Sequence, residues 1–151
     1  MKTGVRLLWL ALLVMAISLV NYGCAGTPKM SRWTSPDNLI YDQVFNAALR
    51  AGTDNKFTIV SQDRDAGVIS MRKQVYAGDK MAERNMSVQL TKQEGRILVA
   101  TRVSGSDVGL IESALGGAVH KEITHNFYVY LFRALKITDP SQRLIDIVDE
   151  K

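Results

Sequence analysis

Cysteine and histidine are nearly absent from this chain: it has one cysteine and two histidines in 151 residues. The lone Cys24 cannot form an intramolecular disulfide, even in an oxidising compartment. His120 and His125 are five apart, a spacing that turns them away from each other on a helix, unlike the i, i+4 pair of a zinc helix. Glu122 and His125 share a helical face, but no further carboxylates stand ready to complete a metal site. Asp63, Asp65 and Gly67 lack the additional acids and closing glutamate of a calcium loop and read as a turn. No GxSxG motif occurs, and Gly105, Gly109, Gly116 and Gly117 lack the lysine-serine ending of a phosphate loop. The residues therefore offer no catalytic, metal or cofactor site, and the expectation is a protein that is not an enzyme.

Charge of one sign is also in short supply. The first 23 residues carry Lys2 and Arg6 and no acid. Without them the basic count falls from 19 to 17 against 15 acidic residues, and the formal charge from +4 to +2. So small an excess does not point to nucleic acid, which asks for a clustered basic surface. Arg72, Lys73, Lys80, Arg84 and Lys92 fall on the middle strands, either as a basic face toward anionic headgroups or an acidic partner, or as a solvated strand face.

What is present begins at the N-terminus. Lys2 and Arg6 precede the apolar run Leu7 to Val20, whose length suits a signal-peptide core rather than a membrane span. Val20-Asn21-Tyr22-Gly23-Cys24 follows, and it resembles the lipobox of bacterial lipoproteins. The resemblance implies removal of residues 1–23 and acylation of Cys24 with palmitate-type chains. It further implies a protein of the cell envelope, anchored in the membrane through lipid. Ala25 rather than aspartate after the cysteine points to the periplasmic face of the outer membrane. Residues 24–34, small, polar and basic, read as a tether. One domain over 35–151 is expected.

Within that domain Ser35 and Pro36 suit a helix start, and Leu39, Ile40, Val44, Phe45, Ala48 and Leu49 form an apolar stripe. The helix is expected over 36–51, with Gly52 at its C-terminal cap. Four alternating strands follow over 56–62, 68–76, 81–92 and 96–104, joined by short glycine-bearing turns. The stretch 105–117 is ambiguous, with Gly116-Gly117 as an interruption or hinge. A second helix runs from Ala118 through Val119, Ile123, Phe127, Tyr130, Leu131 and Ala134. Gln142 to Val148 reads as a short final helix.

The sum is an α+β fold: a four-stranded antiparallel meander with an N-terminal and a C-terminal helix on one face. This order, with an opening helix ending AALRAG and a turn reading DRDAGVI, resembles the helix-grip domains of small bacterial lipoproteins. Among these are the repeated domains of the C lipoprotein of the β-barrel assembly machinery. The resemblance spans Tyr41 to Leu135 and implies a non-catalytic envelope accessory with an envelope protein partner. On the second helix Phe127, Tyr130 and Leu131 are expected in the core. Tyr128 and Phe132 are expected partly exposed, as an interface. The alternative is a periplasmic carrier holding a small apolar ligand or lipid between sheet and helices, with Gly116-Gly117 as a gate.

Overall fold

The computed structural model describes residues 29–77, 80–105 and 112–149. The signal segment and Cys24 lie outside the described residues. In chain order the elements are β1 (Lys29–Thr34), α1 (Tyr41–Asp54), β2 (Thr58–Asp63), β3 (Val68–Ala77), β4 (Lys80–Gln93), β5 (Arg96–Gly105), α2 (Glu112–Ala134), a 3-10 turn (Pro140–Arg143) and β6 (Asp146–Asp149). Among the described residues the strands form one antiparallel sheet of six, in the order β2-β3-β4-β5-β1-β6. The expected meander is its contiguous part, β2 to β5. The fold class is the α+β arrangement read from the sequence, with two strands more than expected.

Alternation fixes which face is buried. Ile69 and Met71 of β3, Met86, Val88 and Leu90 of β4, and Val99 and Val103 of β5 turn one way and are buried. Ser70, Ser87, Gln89 and Arg102 turn the other way. The helices cover the apolar face through Val44, Phe45 and Ala48 of α1 and Phe127, Tyr128 and Leu131 of α2. At the edge, Val60 is an extra residue where the β2–β3 register shifts between Ile59 and Ser61. Such a bulge bends an edge strand away from further pairing.

Sequence expectations are corrected at several points. The tether was drawn too long: residues 29–34 are β1, held between β5 and β6. Their short polar and basic run acquires strand structure only from those neighbours. The opening helix begins five residues late, at Tyr41. Ser35 does not cap it, because its N–H donates to the Ile97 carbonyl at 2.8 Å and its hydroxyl accepts from the Ile97 N–H at 2.9 Å. The final segment is a strand, not a helix. Asp139 caps the 3-10 turn by accepting from the Ser141 N–H at 2.9 Å, and the β-branched run beyond Arg143 pairs with β1. Gly116-Gly117 do not interrupt α2, which is continuous through them.

Both helices end alike. Lys56 and Lys136 adopt φ of 63° and 57°. After α1, the Lys56 N–H donates to the Thr53 carbonyl and the Phe57 N–H to Gly52, both at 2.9 Å. After α2, Lys136 donates to Arg133 at 3.1 Å and Ile137 to Phe132 at 2.9 Å. These are Schellman caps, in which a left-handed residue satisfies the last carbonyls. The apolar residue that follows, Phe57 or Ile137, is buried. Gly52 is therefore inside α1, where a Cβ would stand 2.8 Å from Met71 Sδ and glycine permits the close approach.

Lysine in a left-handed conformation carries a cost of roughly 1 kcal/mol that glycine avoids. Lys56→Gly is expected to raise stability by about that amount, read as a higher urea midpoint at unchanged slope. Gly67→Ala should do the reverse. Gly67 has φ of 69°, and a Cβ there would lie 2.3 Å from the Leu90 carbonyl oxygen. A loss of about 2–3 kcal/mol is expected.

Candidate functional site

Helix α2 packs on both β5 and α1, so its buried stripe is wide. Phe127 and Leu131 lie on one side of that stripe, Tyr128 and Phe132 on the other. This overturns the expectation that Tyr128 and Phe132 are exposed, because they are 0% and 6% accessible. The Tyr128 hydroxyl lies 3.0 Å from the carbonyl oxygens of both Ser31 and Val99, on the paired strands β1 and β5, and its single hydrogen is shared between them. The Thr101 hydroxyl, 3.4 Å away, donates to the phenol oxygen. Burial pushes the Tyr128 phenol well above its ordinary value of 10.0, and the Thr101 bond opposes this. Phe132 stacks edge-on against Trp33, with centroids 5.2 Å apart. Trp33 in turn donates from Nε1 to the Gln142 carbonyl at 2.7 Å, which fastens the 3-10 turn over the end of the core.

That fastening creates a groove. Its volume is about 650 Å3, and it lies between α2 and the segment 136–145. His125, Val129, Phe132, Arg133 and Lys136 line it from the helix, and Ile137, Arg143 and Ile145 from the returning chain. Phe132 and Ile137 are buried and form its floor, whereas Val129 is 40% exposed at the wall. Three cations, Arg133, Lys136 and Arg143, stand among these apolar side chains, and none of the described lining residues is a carboxylate. Arg143 is held in place: its Nε donates to the Ile137 carbonyl at 3.0 Å, and Nη2 reaches the same oxygen. Asp139 stands outside the lining. Hydrogen bonds from the Ser141 hydroxyl and N–H hold its carboxyl below the ordinary range, with a smaller contribution from Arg143. Apolar floor and cationic rim together can receive a molecule with an anionic head and an apolar body.

The remaining sequence candidates are dispersed. Arg72 lies on the open face of the sheet, 3.6 Å from Glu83. Lys73 and Arg84 pair across β3 and β4 on the helix-covered face. Lys73 donates to Asn55 Oδ1 at 3.4 Å and sits 5.5 Å from the Phe57 ring centroid. Burial, and then the charge of Lys56, lower the Lys73 pKa. Lys92 covers the Tyr41 ring. The Lys80 side chain lies outside those described, and the other four middle-strand cations do not make one basic face. Asp63 Oδ1 accepts from the Ala66 N–H at 2.9 Å and so stabilises its turn. Among the described residues no three His, Cys, Asp or Glu side chains come together to hold a metal, and no helix is long and apolar enough to cross a membrane.

The groove was missed, although half of it was readable. His125, Val129, Phe132, Arg133 and Lys136 recur at helical spacing, a basic and apolar stripe beside the core. The other wall needed the return of 137–145 along α2, which no local pattern announces.

No family model matches the chain, and no curated protein matches it. Solved structures of similar architecture do exist. A protein of Thermus thermophilus is 13% identical, with a TM-score of 0.43 over 74% of this chain and 100% of its own. A TBP-like protein from Parabacteroides distasonis is 11% identical, with a TM-score of 0.46 over 72% of this chain and 94% of its own. A Streptomyces protein named Zhui aromatase/cyclase is 10% identical, with a TM-score of 0.40 over 75% of this chain and 96% of its own. At these identities no ligand, residue role or activity passes to this chain. The expectation of a non-enzyme does not stand, since the absence of known motifs excludes no activity.

The Tyr128 bond has a measurable signature. Tyr128→Phe removes the phenol hydrogen that the Ser31 and Val99 carbonyls share and is expected to cost about 1–2 kcal/mol at neutral pH. Below pH 10 the phenol is neutral in both folded and unfolded chains and adds no pH dependence. Above it, the unfolded phenol ionises while the buried one stays neutral, so stability falls as pH rises. Urea midpoints at pH 8 and pH 10.5 should show the wild type losing more than Tyr128→Phe. Equal losses would mean that the phenol is not held neutral.

Proposed function

We propose that this chain is a lipid-anchored protein of the bacterial cell envelope that binds a small amphipathic anion. Acylated Cys24 holds it at the periplasmic face of the outer membrane. The ligand lies in the groove between α2 and the returning chain, its apolar body on Phe132 and Ile137 and its anionic head among Arg133, Lys136 and Arg143. The observation that carries this reading is the pairing of an apolar floor with three cations and no carboxylate among the described lining residues. The volume, about 650 Å3, lies within the range of small-molecule sites, roughly 300–1,000 Å3. This is the carrier reading with the ligand moved. Between sheet and helices the space is taken by Trp33, Phe45, Phe127 and Tyr128, each at most 1% exposed.

A second reading, an accessory module that docks an envelope protein partner, draws on the edge beside the groove. Leu144 is 72% exposed and Ile147 57%, although Ile147 sits on the helix-facing side of β6, opposite Ser31.

The test is titration with three probes of equal chain length: dodecanoate, dodecanol and dodecyltrimethylammonium. Dodecanoate should bind saturably and at least about tenfold tighter than the ammonium, since a charge-assisted hydrogen bond contributes ~1.5–3 kcal/mol. Lys136→Glu should weaken dodecanoate by about tenfold and leave dodecanol unchanged. Equal binding of all three probes, or none, would overturn the anion reading and leave the docking one.

A further inference from the structure

Among the described residues the hairpin of β3 and β4 extends beyond the rest of the sheet: the described pairing of β5 with β4 reaches Gly105 opposite Arg84, while β3 and β4 are paired to Ala77 opposite Lys80. Near its free end Tyr76 is paired directly with Met81. The two side chains point to the same, open face of the sheet and are 80% and 54% exposed. Tyr76 is the most exposed large hydrophobic residue described.

Strand direction places this end beside the entry of the chain. β5 runs toward Gly105 and β1 is antiparallel to it, so the segment leading from Cys24 arrives at the end where the hairpin projects. Met30, Arg102 and Ser87 lie in one row across β1, β5 and β4. From Ser87 to Met81 are six strand residues, which carry the hairpin about 20 Å beyond that row. From Cys24 to Met30 are also six residues, whose extended reach is about 20–22 Å. A lipid on Cys24 would therefore lie at most about as far from the row as the hairpin end does.

We propose that the Tyr76–Met81 end of the hairpin is a second membrane contact, seated in the headgroup region of the bilayer that holds the Cys24 lipid. The proposal rests on the lipid-anchored reading. Tyrosine, with an apolar ring and a polar tip, suits that layer, and a thioether beside it buries readily. The matched reach selects the bilayer over a protein: a tether this short keeps the hairpin end near the lipid surface. A lipid anchor becomes firm when a second contact joins the first. Two contacts also set the orientation of the domain. The groove, near Trp33 and Gln142 at the other end of β1, then opens away from the membrane.

The test uses full-length protein carrying Tyr76→Trp, expressed in a bacterial envelope, extracted, and weighed intact. It is reconstituted in phosphatidylethanolamine–phosphatidylglycerol vesicles with or without acyl-brominated phospholipid. Trp33, 1% exposed, supplies a constant background. Acyl mass at Cys24 together with about a two-fold loss of the introduced indole's emission in brominated vesicles, lessened by Met81→Ser, is the expected result. Acyl mass without quenching overturns the hairpin contact and leaves the anchor standing. A shielded indole that bromine does not quench means that a protein surface covers the hairpin, which also overturns it. A chain without acyl mass at Cys24 removes the anchored reading, and this contact with it.

Discussion

One phenol holds the architecture in register. Tyr128 reaches from α2 through the core to the carbonyls of Ser31 and Val99, on two paired strands far apart in sequence. The meander β2 to β5 closes through local hairpins. β1 comes from before α1, and pairs with β5 across some 70 residues of chain. A hydroxyl that bonds to both partners rewards only the correct pairing, because a slip of one residue would turn the side chains of β1 to the wrong face. Trp33, two residues beyond Ser31, then packs against Phe132 and bonds to Gln142. The groove is thus a by-product of the same seam.

Local chemistry was legible where it decided structure alone. The hairpin of β4 and β5 turns on Glu94 and Gly95, both with positive φ, as short glycine-bearing turns require. Alternation placed Met86, Val88 and Leu90 inward. What the residues did not announce was anything settled at a distance. Ser35-Pro36 has the chemistry of a helix start, yet Ser35 bonds to Ile97, and Asp37 pairs with Arg96. β1 and β6 become strands because neighbours supply their hydrogen bonds. The end of α1 was misplaced for a different reason: glycine is the usual left-handed residue, and here Lys56 takes that position, as Lys136 does after α2.

The site follows the same division. The cationic and apolar stripe of α2 is written in helical spacing, whereas Arg143 and Ile145 reach the groove only because a 3-10 turn and an edge strand bring the chain back. The aromatic pair read as an interface was misjudged because periodicity gives the direction of a stripe but not its width. A helix that meets a sheet and a second helix buries two adjoining rows, and Tyr128 and Phe132 fall in the second.

The position of β1 in the sheet has a mechanical consequence. A pull on the segment that precedes Lys29 is directed along β1, whose neighbours β5 and β6 both run antiparallel to it. Load along a strand with partners on both sides shears its hydrogen bonds together, instead of peeling them one by one as at a free edge. The Tyr128 and Trp33 bonds lie across the same direction of slip. The chain is therefore drawn on through one of the strands best placed to resist extraction.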